Sequence, residues 1–248
     1  MSIDKNKVKS TSVITDIRNF SQTFKDFQNK DSGAFLQFIE NYYLTLNTLA
    51  RTISNRVHMS STGDGIVAIF IDPETHHRDA FAYVLSTHRL LNNLCDKFMQ
   101  ENEGSHLSFG MGADSGNVWK VGTGFLRTYV GTVINRAARI EQMTKMFAST
   151  TAVGNSLYKY LLKDFYPTFH QLIEETNNYD IILNDNPEAV LISKKFALQY
   201  VFNMPLKGIQ EDAPIFRVSE SLINDKKLFW GIMEKLIGEK TIEIKKMF

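Results

Sequence analysis

Of 248 residues only Cys95 is a cysteine, so no intramolecular disulfide can form and a disulfide-stapled secreted scaffold is excluded. An excess of either charge is also missing. Lys plus Arg number 28 against 27 Asp plus Glu, a formal net charge of +1, which provides no global field to draw nucleic acid or an anionic membrane. No apolar run approaches the roughly 20 residues that span a bilayer. The opening residues 1–10 carry charges with no apolar signal core behind them. Neither an internal repeat nor a low-complexity linker interrupts the chain. What remains is ordinary globular composition, 43% hydrophobic and 22% charged, in a chain long enough to bury a core unaided. The expectation is a cytoplasmic protein with neither nucleic acid nor membrane as partner, folded as one large domain with an appendage.

Hydrophobic periodicity supplies the elements. A β-rich stretch from Thr11 ends at Arg18-Asn19-Phe20-Ser21, which reads as a strand running into a loop. Apolar residues at Phe35, Phe38, Ile39, Tyr42, Leu46 and Leu49 recur by threes and fours and predict a helix over 33–55. Two short β-rich runs flank Thr62-Gly63-Asp64-Gly65, a hairpin signal because Asp-Gly adopts positive φ cheaply. A second amphipathic helix is predicted over 77–99, with His88 inside its apolar stripe as a packing residue. Glycine-punctuated residues 107–130 read as several short strands, and 132–147 as a helix. Further on the spacing predicts a short helix over 155–163, strands near 198–202 and 215–218, and a C-terminal helix over 222–237. Alternation with a central hairpin predicts an α+β fold: a mainly antiparallel, ferredoxin-like sheet with helices on one face.

Two aspartates carry the chemistry. Asp16 ends the first strand and Asp64 sits in the hairpin, so pairing of these strands brings two hard oxygen ligands to one sheet edge. That suits Mg²⁺, which takes one or two carboxylates and leaves positions for water and substrate phosphate. Alone, an aspartate in a Gly-Asp-Gly turn is ordinary turn chemistry. Together, however, Asp16-Ile17-Arg18-Asn19-Phe20-Ser21, Gly63-Asp64-Gly65 and Gly131-Thr132-Val133-Ile134-Asn135-Arg136-Ala137-Ala138-Arg139 resemble the class III nucleotidyl cyclase homology domain. Leu206-Lys207-Gly208 and Ile215-Phe216-Arg217-Val218 resemble its closing segment. On that resemblance residues 11–220 form the cyclase domain, 1–10 an N-terminal segment and 221–248 a C-terminal helical extension.

The resemblance implies cyclisation of a nucleoside triphosphate to a 3′,5′-cyclic monophosphate with release of pyrophosphate. It implies two divalent ions, Mg²⁺ or Mn²⁺, held by Asp16, Asp64 and Ile17. Arg18, Asn19, Phe20 and Ser21 would meet phosphate oxygens, as turn N–H groups do, and Lys207 would meet the terminal phosphates. Asn135 would orient the ribose, and Arg139 would meet charge building on the α-phosphate. In the family these two come from the other subunit, so one kind of chain carrying both sets implies a homodimer with two equivalent sites.

The purine code is absent. Where adenylate-forming members carry a lysine and an aspartate this chain has Ser60 and Thr128, and Thr62 stands where an aliphatic residue usually packs on the base. Three hydroxyls that both donate and accept suit a pyrimidine edge. The pattern Met59-Ser60-Ser61-Thr62-Gly63-Asp64-Gly65 with Arg127-Thr128-Tyr129-Val130-Gly131 resembles the pyrimidine cyclases of bacterial Pycsar anti-phage systems. This implies UTP, then CTP, as substrate, and a downstream effector that senses the cyclic nucleotide. A small base needs an aromatic filler, for which Phe20 and Tyr43 are the candidates. A purine cyclase with an atypical pocket, and an inactive cyclase-fold sensor, are the alternatives.

Overall fold

The computed structural model describes residues 6–28, 32–102, 106–124, 127–146, 149–167, 170–171, 198–205 and 212–248. Its centre is a sheet ordered β2-β3-β1-β4-β6-β8-β7. The strands are β1 (Lys7–Arg18), β2 (Val57–Ser61), β3 (Gly65–Phe70), β4 (Ser108–Val121), β5 (Thr128–Val130), β6 (Thr151–Gly154), β7 (Leu198–Pro205) and β8 (Asp212–Val218). β5 lies off this path and pairs with the end of β4. The pairings are antiparallel except β4 with β6. The expected α+β architecture with a mainly antiparallel sheet is therefore the one observed.

The helices are α1 (Phe20–Gln28), α2 (Ser32–Ile53), α3 (His76–Glu101), α4 (Thr132–Met143), α5 (Asn155–Phe165), α6 (Glu220–Asn224), α7 (Lys226–Ile237) and α8 (Lys240–Lys245). Strand alternation sorts the sheet residues. Val13, Ile17, Ile66, Ala68 and Phe70 join α2, α3, α5 and α7 in the main core. Val67, Ile69 and Val118 face the other way, against Tyr129 and Val133. The C-terminal helices are part of the same body, since Phe229, Met233 and Ile244 are buried in the main core.

Four expectations need correction. Residues 20–28 are a helix, not a loop: Phe20, Phe24 and Phe27 recur at helical spacing and set three rings against Phe35, with centroids 5.5, 5.9 and 5.6 Å away. Residues 107–130 hold one 14-residue strand and a short β5 rather than several short strands. The glycines that read as punctuation are instead the seat of a helix. Helices are not confined to one face, because α4 packs on the opposite side over Gly110, Gly112 and Gly116. The C-terminal helix is divided, with the Asp225 carboxylate accepting from the amides of Lys227 and Leu228 to cap α7. His88 is buried as expected, and its Nδ1 lies 2.8 Å from the Thr151 hydroxyl.

Candidate functional site

β1 and β3 run antiparallel with Asp16 opposite Gly65, which places Asp16 next to the turn that carries Asp64. That turn is tight. Thr62 N–H donates to the Gly65 carbonyl at 2.9 Å, and Gly63 has φ +87°, a conformation that glycine adopts without strain. The hydroxyl of Tyr43, on α2, donates to the Gly63 carbonyl and ties the turn to the helix. Asp16 also lies opposite Gly110 on β4, so its side chain shares the face on which α4 sits.

The electrostatics follow from that crowding. Burial raises the Asp16 pKa first, the charge of Asp64 raises it further, and Lys145 pulls it down. Glu141 of α4 is a third nearby carboxyl, raised by its own burial and then by Asp16. It lies against Gly110 in the α4–β4 seam. The donors that remain, Asp16 and Asp64, are hard carboxylates at a half-buried edge, a set that fits Mg²⁺ or Mn²⁺. Ile17 follows where the ladder to β3 stops, so it has a neighbouring strand on the β4 side alone.

The chain then turns sharply into α1 through Asn19, at φ +58°, whose carbonyl accepts from the amides of Gln22 and Thr23. The helix itself gives the N–H groups of Phe20 and Ser21 no acceptor, and its positive end suits an anion. The Arg18 side chain turns elsewhere, donating to the Thr144 hydroxyl at 2.7 Å and the Ser149 carbonyl at 2.8 Å. Its guanidinium holds the end of α4, leaving only the backbone of Arg18 near the turn.

α4 is anchored firmly. Arg136 Nε donates to the buried Asp114 carboxylate at 2.6 Å, and Arg136 Nη2 donates to the Ser115 carbonyl at 2.6 Å. Asp114 also accepts from the amides of Ser115 and Leu157, so strand, α4 and α5 meet on one carboxylate. The buried residues of α4 are Val133, Ala137, Ile140 and Glu141. At 3.6 residues per turn, Asn135 and Arg139 lie about 200° around from Val133 and Ala137. They therefore point off their own sheet. Asn135 is exposed and Arg139 half-buried, and neither side chain forms a hydrogen bond or ion pair among the described residues.

A groove of about 440 Å³ opens between α2 and the edge strand β2. Glu40, Tyr43, Leu44 and Asn47 line it from the helix, and Met59, Ser60 and Ile66 from the strands. Ser60 and Tyr43 both border it, but Ser60 pairs with Val67, so its side chain lies on the sheet face away from α2. Thr62 sits in the turn that carries Asp64, its Oγ1 over Gly65. Thr128 is exposed on β5 and lines no part of the groove, although the Tyr129 ring beside it contacts His58 on β2 at 5.2 Å. Phe20 packs in the aromatic cluster with Phe24 and Phe35. Lys207 lies outside the described residues. Glu40, Asn47 and Glu141 did not stand out in the sequence. The recurrence of 40, 43, 44 and 47 along one exposed stripe of α2 is the signal for the first two.

No family model and no curated protein sequence matches the chain. Solved structures do match it in fold. The adenylyl cyclase CyaB from P. aeruginosa superposes with TM-score 0.60 at 17% identity over 86% of this chain and 95% of that one. The guanylyl cyclase Cya2 gives 0.55 at 15% identity over 86% and 92%. The guanylate cyclase domain of RhGC from Catenaria anguillulae, in complex with GTP, gives 0.53 at 18% identity over 86% and 97%. The chain has the fold of adenylyl and guanylyl cyclase domains. No described helix is long and apolar enough to cross a membrane.

Proposed function

We propose that this chain is a class III nucleotidyl cyclase that closes a pyrimidine nucleoside triphosphate, UTP before CTP, into its 3′,5′-cyclic monophosphate at a site shared by two copies. One observation carries the reading. Asp16 and Asp64 meet at the β1–β3 edge beside the open N-terminus of α1, while Asn135 and Arg139 of the same chain face away from that sheet. A second copy related by a two-fold axis would supply its Asn135 and Arg139 to the aspartates of the first, and the converse.

In the assembled site Asp16 and Asp64, with Ile17, hold the metal positions. Divalent ions held by these residues would supply the lowering of the ribose 3′-hydroxyl pKa and the neutralisation of the triphosphate. The backbone amides at Arg18, Asn19, Phe20 and Ser21 receive phosphate oxygens. Asn135 orients the ribose so that its 3′-oxygen lies in line with the α-phosphorus. The new O–P bond forms as the bond to the β-phosphate oxygen breaks, the hydroxyl proton goes to solvent and pyrophosphate leaves. Arg139 donates to the α-phosphate oxygens as charge builds on them. Lys207 extends the same service to the terminal phosphates on the strength of the resemblance alone.

The base reading rests on what replaces the purine-reading pair. Asn47 faces the groove between α2 and β2 with an amide that both donates and accepts, while Ser60, paired with Val67, carries its hydroxyl on the other face of β2. On the resemblance, Ser60, Thr62 and Thr128 would read the base edge with Phe20 and Tyr43 as fillers; of these Tyr43 and Ser60 border the groove, to which Glu40 adds a carboxylate, and Phe20 packs on Phe24 and Phe35. The Pycsar resemblance extends the proposal to a messenger role in anti-phage defence, read by a separate effector.

Incubating the purified chain with Mn²⁺ and each of the four ribonucleoside triphosphates, with products identified by mass, tests the reading. Cyclic UMP in excess over cyclic CMP, and both over cyclic purine nucleotides, is expected. Cyclic AMP or cyclic GMP as main product would overturn the base assignment, and no cyclic product from any of the four would overturn the cyclase reading.

A further inference from the structure

The C-terminal helices do more than cover α3. α7 packs on α3, α8 packs on α7 and α2, and among α3, α7 and α8 opens a separate pocket of about 330 Å³, lined by Arg89, Asn93, Lys226, Trp230, Lys245 and Phe248. That volume sits at the lower end of the roughly 300–1,000 Å³ typical of small-molecule pockets. Its lining combines rings with cations. The rings of Trp230 and Phe248 meet edge to face at 5.4 Å. The Arg89 guanidinium lies 5.6 Å from the Phe248 ring centroid, and the Lys245 ammonium 5.3 Å from that of Trp230.

The charge count selects the ligand. Among the described residues three cations line the cavity and no Asp or Glu side chain does. One of the three is committed, since Lys245 Nζ lies 3.2 Å from Glu234 Oε1. Lys226 is exposed and forms no ion pair among the described residues. Arg89 spends one donor on the Ile223 carbonyl at 3.4 Å and keeps others of its five. The positive charge that Arg89 and Lys226 keep uncommitted suits an anionic group such as a phosphate monoester. The indole of Trp230 offers a face for a flat ring, and Asn93 an amide for a polar ring edge.

The geometry points to a mononucleotide site between α3, α7 and α8: phosphate on Arg89 and Lys226, base on Trp230, base edge toward Asn93. It is independent of the catalytic reading. The groove between α2 and β2 has no tryptophan in its lining, so a nucleotide bound there is not reported by Trp230.

The chain has two tryptophans, so the full-length Trp119→Phe variant leaves Trp230 as sole reporter. Its emission is titrated with UMP, with uridine and with inorganic phosphate. UMP is expected to give a saturable change, with uridine and phosphate each weaker by about tenfold or more, because each keeps half of the contacts. Lys226→Glu, at an exposed position, should weaken UMP by at least about tenfold while the melting temperature stays put. Arg89→Lys provides a second check that retains the charge and loses the fork. An unchanged Trp230 signal with UMP up to about 10 mM would overturn the proposal. So would identical curves for phosphate and UMP, or a UMP curve indifferent to Lys226→Glu.

Discussion

Gly112 is the position at which the placement of α4 can be tested with a single methyl group. A Cβ there would lie 2.9 Å from Glu141 Cα, and closer still to the Ala137 carbonyl oxygen and the Glu141 amide nitrogen. Those are backbone atoms of α4, so no side chain can swing aside. Carbon contacts relax only beyond about 3.5 Å, which obliges the helix to lift by about 1 Å. Overpacking of this kind costs about 1–3 kcal/mol, and for a chain of this length each kcal/mol moves Tm by about 2–4 °C. Gly112→Ala should therefore melt about 2–12 °C below the parent. Because α4 carries Asn135 and Arg139, a displacement of about 1 Å should also cost on the order of a hundredfold in turnover. Gly231→Ala is the matched control, since nothing lies within 4 Å of its Cβ position inside α7. There the helix gains about 0.5–1 kcal/mol. Thermal melts read beside cyclic-nucleotide yield decide the matter. A Gly112→Ala protein with parental Tm and parental yield would refute the close seating of α4 and the role assigned to it.

Asp16→Ala and Asp64→Ala should each abolish turnover while leaving near-parental circular dichroism and Tm, and normal activity in either variant would remove the two-metal reading. Ser60→Lys combined with Thr128→Asp restores the lysine and aspartate of adenylate-forming cyclases and should lower UTP turnover about ten- to a hundredfold; an unchanged rate contradicts the base assignment. His76 and His88 are buried, and burial lowers their pKa to about 3 and about 4 against 6.5 in the unfolded chain. The unfolded state then binds more protons as pH falls, so their stabilisation is complete above 6.5 and is lost on descending from there toward the folded values. Tm should fall between pH 7 and pH 5, above the range in which ordinary carboxylates titrate, and a flat profile would refute the neutral-histidine assignment.

Much of the scaffold was legible because it obeys a single period. α2 buries one stripe, and the Gly-Asp-Gly turn between β2 and β3 announces itself by glycine at positive φ, whereas α3 is buried on every side from Asp79 to His88, which a single stripe does not foretell. The failures have a common cause, which is that a residue's partner lies far away in sequence. Gly110, Gly112 and Gly116 resemble loop punctuation until α4 is seen to rest on them. Arg18 reads as part of a phosphate turn, yet its guanidinium is held by Thr144 and Ser149, more than 120 residues on. α1 was hidden by the polar Arg18-Asn19 break, although Phe20, Phe24 and Phe27 already carried its period. The cationic cavity gave no local signal, since Arg89, Lys226 and Lys245 meet only through tertiary packing.

The shared site is the claim on which the catalytic account turns, and subunit mixing tests it most directly. Asp64→Ala and Arg139→Ala are each expected to be inactive alone. Mixed one to one and allowed to exchange, half the dimers are heterodimers. In each of these one site inherits both lesions and the other inherits none, so the mixture should recover about a quarter of parental cyclic-nucleotide formation. Mixtures that stay inactive after mass measurement has demonstrated heterodimers would contradict it and place each complete site within one chain.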